Sequence, residues 1–332
     1  MSTSNLMGPW VRRFLVEHLV GERNLSRNTQ ASYRDTLIQV LPFIADSAPV
    51  SVDRLTSESL TAEAVKRFLS HLELDRKCSI ATRNQRLAAL HAFAQFVGRN
   101  SPEHLPWCNA ICSIPFKKCA KPVMCYMDKH EIDAILDVAD LNSAQGTRDY
   151  ALLLFLYNTG ARADEAAQTK VGDLQFGRSP SVKITGKGNK TRYCPLWQLT
   201  ANVLEPIVAR RQALEPAFLN CRRQAVTRFG IHTLVKRYAA KATDKAPSLS
   251  RKRISPHSIR HSTAVHLLRA GVDINTIRAW LGHVSLDTTH IYAEVDLEMK
   301  ARALSHCEIL SPLNSQEKWR VAPEIMSFLK SL

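Results

Sequence analysis

Residues 255–294 read SPHSIRHSTAVHLLRAGVDINTIRAWLGHVSLDTTHIYAE, and the reading of this stretch decides most of the fold. Ser255 followed by Pro256 marks a helix start. A serine hydroxyl accepts from a backbone N–H of the first turn, and proline is tolerated at the first helical position because its missing N–H would have no partner there. That start sets His257 and Arg260 three residues apart, on one face near the N-terminus. Backbone N–H groups at such an end attract anions, so an imidazole and a guanidinium beside them suit a phosphate. Gly271 ends this helix. A second helix carries Ile274, Ile277 and Leu281 and stops at Gly282, leaving His283 just past its end and Tyr292 nine residues further on in another helical turn.

Working upstream, SVKITGKGNKTRYCPL (181–196) is the one strong hairpin signal. Val182 and Ile184 lie before a Gly-Lys-Gly-Asn-Lys turn, with Tyr193 and Leu196 after it. Lys187 sits at its tip between two glycines that allow close approach to a backbone or groove. Before the hairpin, TRDYALLLFLYNTG (147–160) is a continuous apolar run that predicts a buried helix stopped at Asn158 and Gly160. Arg162 follows at the start of the next helix, and DKHEIDAILDVAD (128–140) precedes the run as a further helical segment. Taken singly, each of these residues has a bland reading: a surface arginine, a satisfied histidine, a packing tyrosine.

The first hundred residues read as helices with short connections. Trp10, Phe14, Leu15 and Leu19 recur near helical spacing, and Ser26 or Asn28 caps a second helix carrying Tyr33, Leu37, Val40, Leu41 and Ile44. Thr61 and Ser79 start two more. The last has an apolar stripe of Leu87, Leu90, Phe93 and Phe96 beside Arg83 and Arg86, with Arg99 past its end, which predicts a bundle with basic edges. Residues 100–123 hold four prolines and no regular periodicity, and read as a linker. The expected architecture is mostly α with a small β-sheet, an α+β class. Its expected divisions are an N-terminal helical domain over 4–99, a linker over 100–121, a C-terminal domain over 122–305 and a tail over 306–332.

The 332 residues carry 45 Lys or Arg against 30 Asp or Glu, a formal charge of +15. The excess is concentrated: residues 151–260 hold 20 basic against 6 acidic side chains, and the first hundred hold 13 against 9. A surface charged only for solubility mixes both signs, so this asymmetry points to an anionic polymer or surface. No window approaches a membrane span and the N-terminus lacks the order of a secretory signal, so the expected location is the cytoplasm. The eight cysteines form no C-x-x-C pair and read as reduced thiols. Cys108, Cys112, Cys119 and Cys125 with His104 match no tetrahedral zinc spacing, and there is no P-loop, no H-E-x-x-H and no carboxylate cluster of a two-metal nuclease. Neither a metal nor a cofactor is expected.

Taken together and in order, Arg162, Lys187, the H-x-x-R of His257 and Arg260, the L-G-H ending in His283, and Tyr292 resemble the active-site signature of the tyrosine recombinase, or phage-integrase, family. Surrounding text is similar too: TGARADE, GKGNKTR, SIRHSTAVHLL and GVDINTIRAWLGHVSLDTTHIYA look most like the Xer-type and transposon-borne integrases, and LSRNTQASYRDTL resembles the family's core-binding domain. The alanines of ADEAAQ after Arg162 depart from the leucines frequent there. The resemblance implies a site-specific recombinase acting on double-stranded DNA through a 3′-phosphotyrosine at Tyr292, for integration, excision or resolution of DNA elements. It implies that Arg162 and Arg260 clamp the scissile phosphate with His283, that His257 is the base, and that Lys187 protonates the 5′-hydroxyl. It further implies a homotetramer on paired sites, alone or with a second recombinase, in the bacterial cytoplasm at the nucleoid. The apolar side formed by Ile325, Phe328 and Leu329 in the tail packs in cis or docks on a neighbouring protomer. Two other readings stay open: a type IB topoisomerase, and a DNA-binding protein that keeps the fold without the chemistry.

Overall fold

The computed structural model describes residues 5–119 and 124–282, and of Lys187 the backbone alone. Two compact units meet between Pro122 and Val123.

The first unit is a helical bundle. Helix α1 (Met7–Arg12) runs into a π-helical stretch over Arg13–Glu22, followed by α2 (Arg27–Ser47), α3 (Ala62–Leu74) and α4 (Ile80–Asn100). Ser26, Thr61 and Ser79 cap the last three, each hydroxyl accepting from a backbone N–H three residues on. Phe14, Phe68, Phe93, Leu87 and Leu90 fill the centre, with Phe14 and Phe93 edge to face at 5.3 Å. Two of the arginines expected at the edge reach inward, Arg83 buried and Arg86 half-buried. Arg86 Nη1 donates to the Ser32 carbonyl and to Thr36 Oγ1, tying α4 to α2. Arg83, 6% exposed, donates to the Pro115 carbonyl and pairs with Glu73 at 3.4 Å.

The stretch read as an irregular linker holds regular structure instead. A 3₁₀ turn over Pro102–His104 leads into α5 (Leu105–Cys112), which packs on α4. Pro102 and Pro106 sit in the first turns, where no intrahelical N–H is lost, so they start structure rather than break it. Cys108 packs on Gly98, where an added Cβ would come within 2.9 Å of the Cys108 Cβ. Trp107 Nε1 donates to the Leu60 carbonyl.

The second unit begins with α6 (Lys129–Asp137), α7 (Ala144–Thr159) and α8 (Ala163–Gln168). Helix α7 runs through the core, buried without interruption from Ala151 to Thr159, as its apolar run requires. Three antiparallel strands follow: β1 (Leu174–Gln175), β2 (Ser181–Thr185) and β3 (Thr191–Pro195), in the order β1-β2-β3. The two-residue β1 was not foreseen, because two residues carry no periodicity. Pairing of Val182 with Cys194 and of Ile184 with Arg192 sets one face inward, while Lys183 and Tyr193 face out. Helices α9 (Gln198–Val208), α10 (Arg228–Lys241), α11 (Pro256–Arg269) and α12 (Ile274–Leu281) complete the described residues. α7 packs against α9 and α11, and α12 against α11 and β3.

Buried charges in this unit are multiply held. Asp149, fully buried, accepts from Arg148, from Arg237 Nη2 at 2.6 Å and from the Tyr238 hydroxyl. Glu131 accepts from Lys252 at 2.6 Å and from Ser248. In both carboxylates each oxygen has at least one donor, which offsets the cost of burying the group.

Candidate active site

Gly160 ends α7 in the left-handed conformation, at φ 60°, and a Cβ there would lie 2.5 Å from Leu281 Cδ2. Only glycine meets both demands. The turn places Arg162 at the N-cap of α8, where its backbone N–H donates to Glu165 Oε2 at 3.0 Å and its Nη1 to Glu165 Oε1 at 2.6 Å. The Arg162 side chain is 36% exposed and Glu165 only 4%, so the carboxylate fixes the arginine from beneath while part of the guanidinium faces solvent.

Ser255 caps α11 as its sequence predicts, with Pro256 at the first helical position. Arg260 turns inward: Nη1 donates to the Gly160 carbonyl and Nη2 to the Leu281 carbonyl, both at 2.6 Å. One buried guanidinium thereby joins the end of α7, two residues before Arg162, to the end of α12. His257 lies one turn before Arg260 and feels the charge of Arg260, Arg162 and Glu165. Loss of water to surrounding protein, then the two guanidiniums, hold its pKa below the usual imidazole range, although its outer edge is open to solvent. A neutral imidazole at pH 7 follows. His261, stacked on His257 with ring centroids 6.2 Å apart, is pushed further, to about 4, by burial and then by His257 and Arg260.

Glu165 and Arg192 escaped the sequence reading. Arg192 lies on β3, on the inward face with Ile184 and Cys194. Its Nη2 donates to Glu165 Oε2 and its Nε to the Trp280 carbonyl, each at 2.7 Å. Burial raises the Glu165 pKa, but hydrogen bonds and charge from Arg192, then from Arg162, outweigh it and keep the carboxylate below its usual range. The signal for both residues was present: an acidic residue three after Arg162 in ADEAAQ, and an arginine out of place on the apolar alternation of a strand.

Arg162, His257 and Arg260 are thus brought together, with Glu165 among them. The Lys187 backbone lies in the 3₁₀ turn over Lys187–Asn189 that joins β2 to β3, Gly188 adopting φ 74°. α12 ends at Gly282, φ 66°, where a Cβ would approach Arg192 Nη1 to 3.0 Å. His283, Tyr292 and the tail with Ile325, Phe328 and Leu329 lie outside the described residues.

Residues 125–299 match the phage integrase family and residues 11–100 its N-terminal SAM-like domain. The chain belongs to the phage integrase family. Relatives agree with that membership. An integrase/recombinase of Sinorhizobium fredii, y4rC, is 33% identical over 98% of both chains, and the tyrosine recombinase XerC of Pelotomaculum thermopropionicum is 29% identical over 86% of this chain and 93% of its own. Among solved structures, the XerH recombinase bound to its difH substrate before cleavage superposes at TM-score 0.64 over 86% of this chain and 81% of its own, with 22% identity. The Tn1549 transposon integrase with transposon right-end DNA reaches 0.67 over 89% of this chain and 98% of its own, with 15% identity. These likenesses carry the family's fold: a SAM-like domain followed by a mostly helical catalytic domain with a small sheet. As a member of the tyrosine recombinases, the chain is an enzyme of DNA strand breakage and rejoining. No helix among the described residues is long and apolar enough to cross a membrane.

Proposed function

We propose that this tyrosine recombinase cuts and rejoins specific sites in double-stranded DNA with Tyr292 as nucleophile, and that Arg162, Lys187, His257, Arg260 and His283 serve that step. The Tyr292 oxygen attacks the scissile phosphorus while the bond to the 5′-oxygen breaks. His257 takes the phenol proton, and Lys187 gives a proton to the departing 5′-hydroxyl. The product is a 3′-phosphotyrosine, which keeps the energy of the phosphodiester so that a second 5′-hydroxyl reverses the step. Charge gathers on the non-bridging oxygens meanwhile, and permanently charged guanidiniums at Arg162 and Arg260 suit it, with His283 adding a hydrogen bond.

The observation that carries this reading is the convergence of Arg162, His257 and Arg260 from two segments nearly a hundred residues apart, where burial and the two guanidiniums lower the imidazole pKa. A phenol ordinarily ionises near pH 10, so a neutral base beside fixed positive charge is what its activation needs. The concentrated basic excess supports a polyanionic substrate. One structural neighbour is a lambda integrase tetramer bound to a Holliday junction, which supports exchange of strands in a homotetramer on paired sites. The work is done in the bacterial cytoplasm, at the nucleoid.

A nicked suicide substrate tests the reading, since loss of the short cleaved strand traps the covalent adduct. The unsubstituted chain is expected to form an adduct at Tyr292, and Tyr292→Phe to bind DNA with adduct yield at least about 1000-fold lower. An adduct of undiminished yield identifies another nucleophile. Lys187→Ala is expected to cleave slowly and to recover on a 5′-bridging sulfur substrate, whose leaving group needs no proton. Relaxation of supercoiled DNA by a monomer, without Holliday-junction products, would favour a type IB topoisomerase. Site-specific binding without any adduct would favour a binding protein.

A further inference from the structure

Strand β3 places a guanidinium where its alternation calls for an apolar side chain. Arg192 sits opposite Ile184 and two residues before buried Cys194, with only 10% of its side chain exposed. An arginine in such a position is costly unless its donors are met. Two are, by partners from two other elements: Nη2 on Glu165 Oε2 and Nε on the Trp280 carbonyl, each at 2.7 Å. Glu165 in turn holds Arg162 through Nη1 and the backbone N–H. The Trp280 carbonyl also accepts from Cys194 Sγ at 3.4 Å, and the next carbonyl, that of Leu281, is taken by Arg260. The last carbonyls of a helix lack intrahelical partners, and positive charge there is favoured by the helix dipole. Gly282 then turns the chain against the Arg192 side chain.

We propose that Arg192 is a positioning residue that locks three pieces of the active site to one another. It joins the base of the Lys187 hairpin, the Glu165 carboxylate that aims Arg162, and the end of α12 from which the segment with His283 departs. The planar fork matters as much as the charge. One guanidinium donates in two directions from a rigid frame, and an ammonium on a flexible stem does not hold both partners at fixed spacing. Without Arg192 the Glu165 Oε2 keeps only the Arg162 backbone N–H, and the carboxylate, having lost one of its two guanidinium partners, draws the Arg162 side chain inward, away from the phosphate. The inference rests on the recombinase reading and extends it to a residue that touches neither phosphate nor nucleophile.

The test compares Arg192→Ala and Arg192→Lys with the unsubstituted chain in three measurements: DNA affinity at fixed salt, single-turnover adduct formation on a normal scissile phosphate, and the same on a methylphosphonate at that position. The methyl group removes the charge that Arg162 stabilises, so a defect acting through Arg162 shrinks on that substrate. A purely structural defect slows both alike. Arg192→Ala is expected to keep affinity within about 3-fold and to cleave the phosphate about 100-fold more slowly, because small misplacements cost that much. On the methylphosphonate its deficit should fall below about 10-fold. Arg192→Lys, which keeps the positive charge within the fold, should lose about 10-fold on the phosphate and carries the test if the alanine variant does not fold. Unchanged cleavage of the phosphate, or equal slowing on both substrates, overturns the assignment. Failure of the unsubstituted chain to cleave either substrate overturns the recombinase reading along with it, whereas cleavage by that chain with undiminished Arg192 variants overturns the Arg192 role alone.

Discussion

The amino-terminal bundle and the second unit both hide large apolar cores, yet they treat charge in opposite ways. In the bundle, Arg83 is the one buried ionised side chain among the described residues, and its work is to tie α4 to the chain after α5. The second unit buries Glu131, Asp149, Glu165 and Arg260, each with more than one partner. A core of aromatic and aliphatic groups fixes shape through packing, which tolerates small shifts. A buried charge fixes distances and directions, because a displaced donor leaves an ion in low dielectric. The unit that matches the family's catalytic domain is the one built on such networks.

Glu165→Ala should break this contrast most visibly. Removing the carboxylate leaves Arg192 buried without its counter-charge, a loss of about 3–5 kcal/mol in a urea titration. Adduct formation should fall at least about 100-fold, since Arg162 loses its support. If stability and cleavage both survive, the network is decorative. Phe93→Ala sharpens the other side of the comparison. It should cost about 3–5 kcal/mol, read as faster hydrogen exchange across α4, while α7 and α11 keep their protection. Exchange speeding up equally in α11 would contradict independent cores.

The smallest expected effect concerns pH. Burial first, then His257 and Arg260, push the folded pKa of His261 down to about 4 against an ordinary value of 6.5. The unfolded chain therefore takes up the proton first. Stability is complete above about pH 6.5 and declines as pH falls toward about 4, by at most about 3 kcal/mol for this partly exposed group. Denaturant titrations at pH 7, 5.5 and 4.5 measure the decline, and His261→Gln should flatten it. An equal decline in the variant would assign the effect to other groups.

The helix ends at Ser26, Thr61, Ser79, Gly160, Ser255 and Gly282 were readable in advance, as was the hairpin around Lys187. So were three residues that gather at the site, through their spacing and their resemblance to a family. α5 was not readable: eight residues with Pro106 among them show neither length nor period, and their packing on α4 and the first unit's core is visible only in the tertiary structure. Arg83 and Arg86 looked like surface charge for a related reason, since periodicity reports which face is apolar but not which polar stem is threaded between two helices.

From its residues alone this chain determines where elements start and stop, because a cap or a tight turn is settled by groups within four or five positions of one another. It also determines the excess of positive charge and the order of residues suited to phosphoryl transfer. Only the tertiary structure decides that Arg260 grips the carbonyls of Gly160 and Leu281, and that Arg192 and Arg162 share Glu165. Those contacts join positions from 21 to 100 residues apart, apart from the local Arg162–Glu165 pair. Their strength comes from exclusion of water, which does not exist until distant segments have packed.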